Sequence, residues 1–305
     1  MQTITLGNSD LESSRLVYGC MRIAGDGSKD DREKGKRAVH AAIEAGYTQF
    51  DQADIYSSGR CEELLGEVLR ESPDIRKQLI ITTKCGIRLA GDPSDTSPGR
   101  YDFSAAHITN SVEGSLRRLG VERIDLLLLH RPDYLGHPEE VALTLEALKN
   151  SGAVANFGVS NFTPSQVDLL QSAFDEPLLV NQVQINIHEI SALSDGTLDQ
   201  CLRLGLTPQA WCPIAGVAYP AWGNRFSEDD ERRIREEIDR QCEIYEVEDW
   251  IIALAWLLKH PAGISPIIGS TTPARIEAAK QALDIDYHRE DWYRLLEARN
   301  GYPVP

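Results

Sequence analysis

A chain of 305 residues has room for one large α/β barrel or two ordinary domains, and 42% hydrophobic with 26% charged residues is enough to bury a sizeable core. A formal net charge of −16 repels phosphate backbones and anionic bilayers, which disfavours nucleic-acid and membrane partners. No apolar run reaches the roughly 20 residues of a membrane helix, and MQTITLGNSD lacks the basic and apolar segments of a signal peptide.

In chain order, TITL and LVYG predict a short hairpin and then a first barrel strand ending at Gly19. Residues 30–45 carry apolar positions at helical spacing, closed by Gly46. A strand over 47–50 leads into FDQADIY, which places Asp51 at the strand end and Tyr56 in the following connection. CEELLGEVLRE predicts a helix, LIITTK a strand ending on Lys84, and residues 85–103 a long loop. Ser104 then caps a helix with Ile108, Val112, Leu116 and Leu119 on one face. IDLLLLH is a strand ending on His130, PEEVALTLEALKN a helix, and AVANFGV a strand. Thr163 and Pro164 open the fifth helix. LLVNQVQIN, a short helix over TLDQCLRLG, and LTPQAW complete strands six and seven. An aromatic loop, two amphipathic helices near 228–245 and 248–259, the strand ISPIIGS, a helix opening at Thr272-Pro273, and a last helix over 289–299 finish the chain.

That is eight strands, each followed by helix, with runs suited to strands covered on both faces. With no linker and no GxGxxG turn after the first strand, the pattern predicts one (β/α)₈ TIM barrel over residues 1–305, with a short N-terminal hairpin and an extra C-terminal helix. Six cysteines without CxxC or metal-ligand spacing predict reduced thiols, no metal site and a cytoplasmic location.

Chemistry in such a barrel collects at the carboxyl ends of the strands. Asp51, Tyr56, Lys84 and His130 all sit there, and together they form a proton-handling device. A phenol is a poor acid at neutral pH unless a cation stabilises the phenolate. Lys84 can be that cation, Asp51 can hold it, and His130 can orient a substrate oxygen, so a carbonyl oxygen can be protonated as hydride reaches its carbon. Taken singly, each has a plainer role in packing or loop capping.

Later strand ends offer Ser160, Asn161 and Gln182, suited to a carboxamide, and Trp211, suited to stacking on a planar ring. Capping and core packing are the alternatives for these positions. In PIIGSTTPARIEAAK, a helix capped by Thr272 follows Gly269, Ser270 and Thr271 and places Arg275 in its first turn. A cation there opposes the helix dipole by a few tenths of a kcal/mol unless an anion binds beside it. A bound phosphate and an ion pair with Glu228 are both open.

FDQADIYSSGRCEELLGEVL, ITTK, IDLLLLHRPD, FGVSN, NQVQIN and PIIGSTTPARIEAA, in this order, resemble the aldo-keto reductase family, and the HRPD ending is similar to its bacterial-type branch. The resemblance implies a monomeric barrel that binds NADP(H) and transfers hydride to a small-molecule carbonyl. Asp51, Tyr56, Lys84 and His130 would be the catalytic tetrad, with Tyr56 the general acid. Ser160, Asn161 and Gln182 would hold the nicotinamide carboxamide, Trp211 would stack, and Gly269, Ser270, Thr271 and Arg275 would meet the adenosine phosphate. The chain departs from the family where Ser57 follows the tyrosine in place of Gly, where Gly269 replaces a frequent Lys, and at Ala278-Ala279.

Two other functions fit the barrel: a Schiff-base aldolase or lyase using Lys84, and a non-catalytic NADPH-binding redox-sensing subunit. Substrate choice belongs to the loops over 21–28, 85–103 and 212–226, where Tyr219, Trp222 and Phe226 suggest an apolar wall.

Overall fold

The computed structural model describes residues 1–221 and 226–305, so Trp222 lies outside the described residues. The chain opens with an antiparallel hairpin, β1 (Thr3–Thr5) against β2 (Glu12–Ser14). Then β3 (Val17–Gly19), α1 (Lys29–Glu44), β4 (Gln49–Asp51), α2 (Arg60–Glu71) and β5 (Ile80–Cys85) begin the βα alternation. Residues 85–103, expected as loop, contain a small hairpin of their own, β6 (Ile87–Arg88) with β7 (Arg100–Tyr101). The alternation resumes with α3 (Ala105–Leu119), β8 (Ile124–Leu129), α4 (Pro138–Asn150), β9 (Val154–Ser160), α5 (Pro164–Ala173) and β10 (Leu178–Gln184). It ends with α6 (Thr197–Leu204), β11 (Thr207–Trp211), α7 (Glu228–Tyr245), α8 (Asp249–Leu258), β12 (Ser265–Ile268), α9 (Pro273–Ala278) and α10 (Arg289–Asn300).

Strands β3, β4, β5, β8, β9, β10, β11 and β12 form a closed parallel barrel, β12 returning to β3 through Ile267–Val17 and Ile268–Tyr18. The (β/α)₈ expectation holds. Every residue of β8 is buried, as a strand with helix outside and packed lumen inside requires. The helix signals also act locally. Ser104 accepts from the His107 amide, Thr163 closes a capping box with Gln166, and Ser227 does so with Asp230. Thr272 stands at the expected N-cap but makes no side-chain cap bond; its own amide donates instead to Ser270 Oγ.

One helix differs in character from its expectation. α8 is not amphipathic: its residues from Trp250 to Leu257 are all buried. Its outer face is covered by α10, where the Trp256 and Trp292 rings stack at 5.0 Å and 5°. The hairpin closes the amino-terminal end of the barrel, with the Gly7 amide donating to Thr207 Oγ1 and Ser13 Oγ donating to Gln49 Oε1 inside it. The catalytic end is thereby left to the βα loops. No helix among the described residues is long and apolar enough to cross a membrane.

Candidate active site

Three of the four strand-end residues meet directly. β4 and β5 are neighbours, and Lys84, wholly buried, points its ammonium into the gap between them and the connection after β4. Lys84 Nζ lies 2.7 Å from Asp51 Oδ2, 2.8 Å from the Gln52 carbonyl and 3.1 Å from the Tyr56 hydroxyl. His130 follows β8, and its ring stands edge-on to Tyr56 with centroids 6.0 Å apart. Its Nδ1 is buried without a hydrogen-bond partner among the described residues.

The electrostatics differ in one respect from expectation. Burial raises the Tyr56 pKa; Lys84 pulls it down, but Asp51 adds to the rise and the net direction is upward. The phenol is therefore a retained proton at neutral pH rather than a near-phenolate. Burial opposes the charge on Lys84, yet Asp51 and Tyr56 more than offset it, so the ammonium is held above its ordinary value. Burial, reinforced by Lys84 and Arg131, drives His130 well below the usual imidazole range, leaving a neutral ring at pH 7. A charged lysine, a protonated phenol and a neutral imidazole in one buried corner can donate and orient hydrogen bonds at an oxygen placed among them.

The backbone after Tyr56 shows what the departure at Ser57 costs. Ser57 and Ser58 have φ of 48° and 56°, in the left-handed region where glycine costs nothing and another residue costs on the order of 1 kcal/mol. The turn is needed because α2 must start at once, at Arg60, while Tyr56 stays directed at Lys84.

Ser160, Asn161, Gln182 and Trp211 form one connected wall. Asn161, itself left-handed at φ 61°, donates to the His130 carbonyl and to Ser160 Oγ, and accepts from Trp211 Nε1 at 2.9 Å. Ser160 Oγ donates to the Gln182 carbonyl, and Gln182 Nε2 donates to Asp51 Oδ1 at 2.9 Å. This wall is thus tied to both ends of the Lys84 cluster. The Arg131 guanidinium lies over Trp211, 5.9 Å from the ring centroid.

The eighth-strand segment lies beside the first strand. Gly269 is open: an added Cβ would meet only the Gly19 carbonyl, at 3.9 Å. Ser270 and Thr271 are half-buried, and Arg275 is exposed in the first turn of α9, making no ion pair with Glu228 or any other carboxylate among the described residues. An open glycine, two hydroxyls and an uncommitted guanidinium are a donor set suited to a phosphate-bearing cofactor. Of the wall aromatics, Tyr219 lies under Arg22 at 5.3 Å, and Phe226 packs against His188 and Arg299.

Sequence reading missed Asp54, two residues before Tyr56. Its amide donates to the Lys84 carbonyl at 3.1 Å, and its Oδ1 is buried without a hydrogen-bond partner among the described residues. Burial, with Glu62 adding, pushes its carboxyl up to about 7. An acid whose folded pKa exceeds its unfolded one is bound to extra protons in the fold between those values. Stability should therefore fall as pH rises from about 4 to 7, then level. Partial exposure limits the cost of ionisation to on the order of 2 kcal/mol. Asp54→Asn is expected to melt above the parent at pH 8 and with it at pH 4.5; equal pH slopes in thermal scans would contradict this.

The comparisons agree with this architecture. Residues 15–300 match the model of the aldo/keto reductase family. The chain is 40% identical to the uncharacterized oxidoreductase YcsN of Bacillus subtilis and 39% identical to a 6-dehydroglucose reductase of Agrobacterium fabrum, each over the full length of both proteins. The solved structure of the glycerol dehydrogenase of Gluconobacter oxydans is 26% identical and superposes with a TM-score of 0.84, over 99% of this chain and 97% of that one. A closed eight-stranded barrel, a family match over nearly the whole chain and full-length bacterial relatives leave one assignment: this oxidoreductase belongs to the aldo/keto reductase family.

Proposed function

We propose that the protein is an NADP(H)-dependent carbonyl reductase in which Tyr56 is the proton donor. The observation that carries this reading is a single ammonium, Lys84 Nζ, within 2.7 Å of Asp51 and 3.1 Å of the Tyr56 hydroxyl. The cofactor, when bound, supplies the hydride. Tyr56 releases its proton to the substrate oxygen, and Lys84 stabilises the phenolate left behind. Asp51 holds Lys84 in place, and the neutral His130 donates to the same oxygen. Ser160, Asn161 and Gln182 orient the carboxamide, Trp211 borders the ring, and Gly269, Ser270, Thr271 and Arg275 receive the adenosine phosphate. Six free cysteines accord with a reducing, cytoplasmic setting.

A Schiff-base role for Lys84 is poorly supported, because its ammonium is wholly buried, held by three oxygens and kept protonated. The relatives named 6-dehydroglucose reductase make polyhydroxylated aldehydes the first substrates to try. NADPH oxidation against aldehydes, sugar dialdehydes, ketones and quinones tests the reading; cofactor binding without turnover on any of them would favour the redox-sensing alternative.

Arg275 supplies a second test. Charge-assisted bonds to phosphate contribute ~1.5–3 kcal/mol, so Arg275→Ala should weaken NADPH binding roughly 10- to 100-fold and leave NADH binding nearly unchanged. Equal losses for the two cofactors in titration calorimetry would refute the assignment.

A further inference from the structure

The lumen of this barrel is polar where a packed barrel core is ordinarily aliphatic. Gln182 on β10 and Gln209 on β11 are register partners, and Gln182 Nε2 donates to Gln209 Oε1 at 3.2 Å as well as to Asp51 Oδ1. Gln209 Nε2 donates across the lumen to Gln49 Oε1 at 3.0 Å, on a strand three places away round the ring. Gln49 Nε2 donates to Thr82 Oγ1 at 2.9 Å, and its Oε1 also accepts from Ser13 of the hairpin. Gln49 and Gln209 are fully buried.

These bonds have one direction. Asp51, a carboxylate that can only accept, sets it by drawing the Gln182 nitrogen, and Gln49, its own nitrogen turned to Thr82, offers oxygen to Gln209. Gln209, its nitrogen committed to Gln49, can only offer oxygen to Gln182. Gln182 must then present its amide nitrogen to Gln209 and to Asp51. Flipping the Gln182 amide would set its oxygen against the Gln209 oxygen and the Asp51 carboxylate. What remains is Gln182 Oε1, the one polar atom of that side chain no described protein group engages.

We infer that Gln209 and Gln49 are positioning residues: a cross-barrel strut, anchored at the floor, that fixes the Gln182 amide with its oxygen outward to accept a carboxamide N–H of the cofactor. The inference rests on the reading that Gln182 meets that carboxamide. Neither glutamine touches the reacting atoms. Without the strut the Gln182 nitrogen is held by Asp51 alone, so the amide swings more freely and its preference for a donor weakens without removing the residue itself.

The probe is the pair NADP⁺ and its 3-acetylpyridine analogue, which replaces the carboxamide NH₂ by methyl and so has no N–H to offer. Their dissociation constants are measured by calorimetry on the cofactor-free protein, a readout independent of turnover. Wild type should favour NADP⁺ by roughly tenfold, the scale of one hydrogen bond to a partner otherwise left unpaired. Gln209→Met keeps the volume and removes the acceptor and donor, and should lower the ratio by at least about twofold. Gln49→Leu, which removes the anchor of Gln209 together with the bonds to Thr82 and Ser13 but leaves Gln182 and Gln209 in place, should move it the same way. A purely structural loss would weaken both ligands equally and leave the ratio intact; that result in the folded variants overturns the inference. A wild-type ratio near one overturns the Gln182 contact itself. Wild-type protein that binds no NADP⁺ overturns the cofactor assignment instead.

Discussion

Tyr56→Phe should lower carbonyl reduction by about 10²–10⁴-fold while the dissociation constant of NADPH barely moves. The substitution removes one oxygen and keeps the ring, and the ring carries the contact with His130. Lys84 loses a partner at 3.1 Å but keeps Asp51 and the Gln52 carbonyl, so the buried ammonium is not orphaned. The loss should appear in kcat and kcat/KM together, because proton donation matures only in the transition state. The pH dependence follows from the raised phenol. With its pKa pushed upward by burial, Tyr56 remains a donor through neutral and mildly alkaline pH, so reduction should be flat there and decline only at more alkaline values. Alcohol oxidation, which needs the proton acceptor, should rise over the range in which reduction declines. Stopped-flow binding beside steady-state rates decides it, and undiminished turnover would make Tyr56 a rim residue.

Asp51 and Lys84 meet because they are strand ends, and a closed parallel barrel brings strand ends together whatever the loops do. Asp51 and Lys84 are read from FDQADIY and LIITTK by that rule alone, as are the caps at Ser104 and Thr163 by local chemistry. The sign of the Tyr56 shift was not legible, because a sequence names the cation beside a phenol but not the depth at which both are buried. α8 was misjudged for a related reason: its charged neighbours in sequence lie on α7, while its own surface is covered by α10 from the far end of the chain. The Gln49–Gln209 strut escaped because a polar residue in a strand run reads as an outward side chain until the lumen is seen, and Asp54, in the turn after β4, reads as an ordinary turn residue. Alternation within QFD and TPQAW was the available signal, placing Gln49 and Asp51 on one face and Gln209 on the same face as Trp211.

Lys84→Met should nearly abolish reduction, and the harder question is whether that loss is chemical or merely structural. Deleting a wholly buried ammonium leaves Asp51 Oδ2 without its partner, and breaking a buried pair from one side costs ~3–5 kcal/mol. Melting temperature should therefore drop along with activity. The second substitution Asp51→Asn separates the two effects. A neutral amide at position 51 no longer buries an uncompensated charge, and its oxygen can still accept from Gln182, so the Lys84→Met/Asp51→Asn protein should recover part of the lost stability. It should recover no turnover, because nothing then stabilises the Tyr56 phenolate. Lys84→Arg, which keeps the charge, should not rescue either: a planar guanidinium cannot reproduce one nitrogen bonded at once to a carboxylate, a carbonyl and a phenol. Stability and rate moving together through all three variants would mean that Lys84 only holds the barrel mouth closed. Recovered folding with turnover still absent ties the ammonium to the proton transfer itself.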